Sequence, residues 1–95
     1  MSSDPHRALI AALTDYLGPL DHVSGSSHDW SSATFTGMQH ELHFTCYASP
    51  VLIDALPDFD LPMRDHFVAD LKSFGYAVHE SAHRVVMEVL TICDA

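Results

Sequence analysis

Histidine, carboxylate and cysteine side chains supply most of the groups in this sequence that can do chemistry. The chain has eight histidines, thirteen acidic residues and two cysteines against four Lys and Arg residues. Carboxylates and imidazoles bind metal ions or act as general acids and bases. Because side chains alternate along a strand, we expect five polar and charged side chains on one face of the sheet. They are Glu41, His43, His79, Arg84 and Glu88. A small-ligand-binding or metal-dependent enzyme built on them is therefore the alternative function.

Other combinations of reactive residues fail on geometry. Residues 27–29 read Ser-His-Asp, but the members of a catalytic triad converge from separate parts of a fold. His43 lies three residues from both His40 and Cys46, and on a strand that spacing puts side chains on opposite faces. The sequence also lacks a phosphate-binding glycine loop and a dinucleotide fingerprint. We therefore predict no catalytic residue, no metal ligand and no cofactor.

The bulk properties point to one small domain covering residues 1–95. The net charge is −9, and four scattered cations are too few to neutralise phosphates, so nucleic acid and anionic membranes are excluded as expected partners. The N-terminal residues lack the basic-then-apolar order of a secretory signal. With only two cysteines, Cys46 and Cys93, we expect reduced, buried thiols and a cytoplasmic location.

Periodicity predicts the order helix, hairpin, helix, hairpin. The first helix begins at Asp4-Pro5 and ends at Gly18-Pro19. A loop at residues 24–27 leads to strands over 29–35 and 38–48, with a tight turn at 36–37. One short helical turn follows over residues 50–56, and a longer second helix is expected from residue 60 or 61 to Gly75. The last hairpin pairs residues 76–80 with 83–93 across a turn at 81–82.

These elements predict an α+β fold of order αββαββ, in which two hairpins form an antiparallel sheet and both helices cover one face. The expected core face carries Phe35, Met38, Leu42, Phe44, Cys46, Phe74, Tyr76, Val78, Val85, Met87, Val89 and Cys93. On the other face, the assumed turns place Trp30 opposite His43 and His79 opposite Arg84.

The helix-free face mixes apolar and polar side chains, which is typical of an interaction surface. The sequence therefore predicts an acidic binding module that self-associates or binds a protein partner, most simply as a homodimer. The expected binding residues are Trp30, Glu41, His43, Tyr47, His79, Arg84 and Glu88. We expect Trp30, the only tryptophan, to be shielded when the protein associates.

Overall fold

Four antiparallel strands form one sheet in the order β1-β2-β4-β3: β1 (Leu20–Ser31), β2 (Thr36–Cys46), β3 (His66–Ala77) and β4 (His83–Cys93). Helix α1 (Pro5–Leu17) precedes the first hairpin, and the short helix α2 (Pro50–Asp54) with one 3-10 turn (Leu56–Asp58) connects the two hairpins. The computed structural model describes residues 4–58, 61–63, 65–79 and 81–93. The expected α+β fold of order αββαββ is confirmed.

Helix α1 begins and ends where its local sequence predicts. The Asp4 carboxylate accepts hydrogen bonds from the backbone N–H groups of His6 (3.0 Å) and Arg7 (3.4 Å), which have no partner inside the helix. Gly18 ends the helix with a φ of 85°, a conformation that side chains disfavour. Its N–H donates to the Thr14 carbonyl at 2.8 Å. These caps fix the length of the helix that covers the sheet.

The core lies between the two helices and one face of the sheet. Leu9 and Leu13 of α1 and Ile53 of α2 are buried in it. Most of the strand residues in the core belong to the two central strands, β2 and β4: Leu42, Phe44, Cys46, Val85, Met87 and Val89. Gly75 on β3 permits the close approach of α2, since a Cβ there would lie 3.0 Å from the Ile53 Cγ2 atom. Both helices thus cover the same side of the sheet.

The long second helix expected up to Gly75 is wrong, because residues 66–77 form strand β3. Asp60, one expected start of that helix, lies outside the described residues. The short helical turn predicted over residues 50–56 is confirmed by α2. Helix α2 is therefore the second helix in the order αββαββ. Pairing with the apolar strand β4 overrides the helical spacing of the apolar residues, because a strand there completes the sheet.

The first hairpin differs from its prediction in length and turn. Strand β1 begins at Leu20 and runs through the residues expected to form a serine-rich loop. The turn occupies residues 32–35 rather than 36–37, and the Ser32 side chain accepts a hydrogen bond from the Phe35 N–H at 3.1 Å. Phe35, expected in the core, is therefore exposed in the turn. Trp30 lies opposite Gly37 rather than His43.

The second hairpin is shifted by three residues from the predicted register. Phe74 lies opposite Val86 and Tyr76 opposite Arg84, so both aromatic rings leave the expected core face for the opposite face. Val78 is exposed beyond the strand. The predicted strand end, Glu80, lies outside the described residues. The faces assigned to β2 and β4 hold, because Leu42, Phe44, Val85, Met87 and Val89 are buried.

Candidate functional site

The side of the sheet that faces away from α1 and α2, which we call the open face, is the candidate site. Alternate residues of all four strands reach it, and cross-strand neighbours form rows across it. In the order β1, β2, β4, β3 the rows are Trp30-Gly37-Ile92-Phe67, His28-Gln39-Leu90-Asp70, Ser26-Glu41-Glu88-Lys72, Ser24-His43-Val86-Phe74 and Asp21-Thr45-Arg84-Tyr76.

Exposed apolar surface on the open face is concentrated on β3 and β4. Phe74 is 67% exposed and Tyr76 is 47% exposed, and their ring centroids are 6.1 Å apart. Val86 adjoins Phe74 on β4 and is partly exposed. A shallow hollow of about 220 Å³ runs between the two strands, lined in part by Lys72, Phe74 and Val86. We call this part of the open face the β3–β4 half.

The other half of the open face, on β1 and β2, is largely polar. Its side chains are Ser24, Ser26, His28, Gln39, Glu41, His43 and Thr45, with Trp30 at one end. The imidazole Nε2 of His43 lies 3.1 Å from Oε1 of Glu41. Tyr47, just beyond β2, donates its hydroxyl to the Asp21 carboxylate at 2.5 Å, and this bond raises the pKa of Tyr47.

Charged groups meet in the middle row. Glu41 and Glu88 lie directly opposite each other on β2 and β4, an arrangement that is unfavourable for two like charges. Lys72 lies on the other side of Glu88, on β3. Within the described part of the chain, the side chains of Lys72 and Glu88 have no ion pair and no hydrogen bond. The centre of the open face therefore holds an unpaired cation beside an unpaired anion.

The guanidinium of Arg84 is already engaged. Its Nη1 atom donates to the His22 carbonyl at 3.0 Å and to the Thr45 hydroxyl at 3.1 Å. His22 sits at an irregularity of β1 with a φ of 52°. Arg84 thus ties β4 to β2 and to the bent end of β1, across the end row of the open face.

The predicted binding residues reach the open face to different degrees. Glu41, His43, Arg84 and Glu88 lie on it, and Trp30 lies at one end. Tyr47 and His79 lie outside the strand pairs. His79 is in the turn after β3, where its N–H donates to the Ala82 carbonyl at 3.3 Å, and is not opposite Arg84 as predicted. The structure thus contains the predicted sheet face away from α1 and α2, but the exposed aromatic side chains at its apolar centre are Phe74 and Tyr76.

The groups of the alternative enzyme do not converge into one site. Glu41, His43 and Glu88 are neighbours, but Arg84 and Glu88 are four residues apart on one strand, about 13 Å. Among the described residues, no three His, Cys, Asp or Glu side chains are grouped closely enough to hold a metal ion. Arg84 and His79 therefore lie apart from Glu41, His43 and Glu88.

A cysteine–histidine pair does occur on the helix-facing side, where Cys46 lies opposite His83. The Cys46 side chain is fully buried, and burial raises the pKa of its thiol. A buried, protonated thiol is a poor nucleophile. Cys46 and Cys93 are both free, with Cys46 buried as expected and Cys93 partly exposed.

A buried histidine links α1 to the sheet. The ring of His40 is fully buried, stacked against His6 with centroids 5.2 Å apart. Its Nδ1 lies 3.0 Å from Nδ1 of His6, and its Nε2 lies 2.9 Å from the Thr91 hydroxyl. The Thr91 hydroxyl donates to the Met38 carbonyl at 3.4 Å, so His40 donates to Thr91 and accepts from His6. Burial, and next the adjacent His6, lower the pKa of His40 to about 4.

Sequence reasoning missed Lys72, Phe74 and Tyr76 as candidate binding residues. These three occupy every second position of residues 72–76, which is the spacing of side chains on one face of a strand. Their intervening residues, Ser73 and Gly75, are small. This alternation was the available signal, and it competed with the helical spacing of Phe67, Leu71 and Phe74.

No protein-family model matches the chain, and comparisons with curated proteins and with solved structures find no significant match either. Among the described residues, no helix is both long enough and apolar enough to cross a bilayer.

Proposed function

We propose that the protein is a small acidic interaction module that self-associates through the open face of its sheet. The observation that supports this most directly is the exposure of Phe74 and Tyr76 beside Val86 on the open face, which lies on the side of the sheet away from α1 and α2. Aromatic residues are enriched in the centres of protein interfaces, whereas a solvated face of an antiparallel sheet normally carries polar side chains.

Charge and composition narrow the class of partner. A net charge of −9 disfavours phosphate-rich partners such as nucleic acids and anionic membranes. The mixture of aromatic rings with single charges on the β3–β4 half fits a protein surface, either a second copy or another protein. A reducing, cytoplasmic location is compatible with the two free cysteines.

The decisive experiment measures self-association of Phe74→Ser by sedimentation over a range of concentrations. Because Phe74 is 67% exposed, its removal costs the folded monomer little. We expect the substitution to weaken association by about 1–3 kcal/mol, the usual effect of truncating a central aromatic residue.

Phe35→Ser is the matched control, because Phe35 is 51% exposed but lies in the turn at residues 32–35. It removes the same exposed side chain away from the β3–β4 half, so association should be unchanged. Equal weakening by both variants would indicate nonspecific hydrophobic contact. A wild-type protein that stays monomeric at all concentrations and carries stoichiometric metal would contradict the proposal and favour the alternative enzyme.

A further inference from the structure

We propose that the occupant of the open face is a second copy of this chain, docked on the β3–β4 half about a two-fold axis that runs parallel to the strands between β3 and β4. This inference rests on the proposed self-association and adds its location and geometry. In a two-fold interface, residue i contacts residue j of the partner and residue j contacts residue i. Rotation about this axis places β3 of each copy over β4 of the other copy.

The proposed arrangement joins two charged side chains that are unpaired among the described residues of one chain. Lys72 and Glu88 occupy one row on neighbouring strands, and neither has an ion pair among the described residues. Rotation about the proposed axis brings Lys72 of one copy over Glu88 of the other, and it does so twice. Both copies then present opposite charges to each other, although each copy is strongly acidic overall.

The same rotation matches the apolar row. Phe74 of each copy lies over Val86 of the other, since the two residues are opposite neighbours on β3 and β4. The hollow of about 220 Å³ beside them is the receiving space for the second copy's Phe74 ring. Apolar contact thus fills the row next to the charge pairs, which is the usual arrangement of an interface core and its polar surroundings.

A two-fold axis perpendicular to the strands offers a different pairing, Glu88 with Arg84. Arg84 is less available than Lys72, because its guanidinium already donates to the His22 carbonyl and to the Thr45 hydroxyl. It is also partly buried, whereas Lys72 is exposed. The free charge is therefore on Lys72, and this favours the axis parallel to the strands.

Charge reversal in two separately purified variants tests the arrangement. Lys72→Glu alone places two carboxylates against each other at both symmetric positions, and Glu88→Lys alone places two ammonium groups there. We expect each variant to raise the dissociation constant about tenfold, because like charges at an interface oppose association. An equimolar mixture of the two variants forms a heterodimer in which a carboxylate faces an ammonium group at both symmetric positions, so mixing should restore association.

The double variant Lys72→Glu/Glu88→Lys restores opposite charges at both positions. Each copy then carries the exchanged pair, and the two-fold axis again brings a carboxylate over an ammonium group twice. We expect its dissociation constant to return to within about threefold of wild type. Circular dichroism and thermal melting of all three variants verify that the monomers remain folded.

The outcomes separate this inference from the proposed function. Recovery of association in the double variant, with both single variants weak, supports the Lys72–Glu88 pairing. If Phe74→Ser weakens a real self-association but the double variant stays as weak as the single variants, the docking geometry is wrong while self-association stands. If Glu88→Lys alone weakens association and Lys72→Glu does not, the perpendicular axis replaces the proposed one. A wild-type protein that does not self-associate overturns both.

Discussion

At the scale of single residues, the most constrained titratable group is His40. Its ring is fully buried between α1 and the sheet, and both nitrogen atoms have partners, His6 and Thr91. A proton on His40 would put a charge in the core and against a second imidazole 3.0 Å away. The structure therefore holds His40 neutral, and burial is the main cause of its low pKa.

This makes stability depend on pH. The pKa of His40 falls from 6.5 to about 4 on folding, so between these values the unfolded chain binds more protons than the folded protein. The contribution of neutral His40 to the free energy of unfolding is complete above pH 6.5 and is lost as the pH falls toward 4. As the pH falls from 7.5 to 5, we expect the titration of His40 to lower the free energy of unfolding by about 2 kcal/mol, measured by urea denaturation.

Variants isolate the contribution of this histidine from that of the other seven. His40→Gln removes the titrating group and should flatten the dependence on pH by about 2 kcal/mol over the same range, whatever its own stability at pH 7.5. His28→Gln, on exposed strand β1, is the control and should leave the slope nearly unchanged. A His40→Gln slope equal to that of wild type would contradict the assignment.

At the scale of elements, β3 shows where an apolar pattern has two interpretations. Residues 67, 71 and 74 repeat at helical spacing, while residues 72, 74 and 76 alternate as in a strand. The strand prevails because β4, the most apolar strand, needs a hydrogen-bonded neighbour on each side. The periodicity of residues 66–77 does not reveal this requirement, because it arises from the pairing of strands in the sheet.

Two substitutions distinguish the strand from a helix. In the strand, Leu71 is 7% exposed and faces the core, while Phe74 faces away and is 67% exposed. Leu71→Ala should therefore lower the free energy of unfolding by about 2–3 kcal/mol, and Phe74→Ala by less than about 0.5 kcal/mol. On the expected helix both residues would belong to one buried stripe. Similar large losses in a denaturation series would restore the helical interpretation.

The elements that sequence predicted well have strong local signals. Helix α1 is bounded by an aspartate cap with proline and by Gly18. Strand β2 alternates apolar with polar residues, and β4 is a nearly continuous apolar run. Strand β1 lacks such alternation, because it is an exposed edge strand rich in serine. It is held by pairing with β2 rather than by burying its own side chains. The open face was predictable from β2 and β4, whereas its apolar half was not, since that half depends on the register of β3.

At the scale of the whole molecule, strand order decides which surfaces can act together. The order β1-β2-β4-β3 joins the hairpins through β2 and β4 and puts β1 and β3 at opposite edges. With neighbouring strands about 4.8 Å apart, the edges are separated by roughly 14 Å. Trp30 on β1 and Phe74 on β3 therefore belong to different halves of the open face, although both are aromatic residues of the same side.

This separation changes what Trp30 reports. If a second copy covers the β3–β4 half, Trp30 stays at the far edge, where its environment is the same in monomer and dimer. We expect its fluorescence maximum to stay constant as concentration drives association, and Trp30→Ala to change the dissociation constant by less than about twofold, as is usual for a residue outside the interface centre. Phe74→Ser should weaken association by about tenfold or more under the same conditions, as expected for a central aromatic residue. A blue shift on association, together with weakening by Trp30→Ala as large as that by Phe74→Ser, would mean that the partner covers β1 and β2 as well, and the docking on β3 and β4 alone would be wrong.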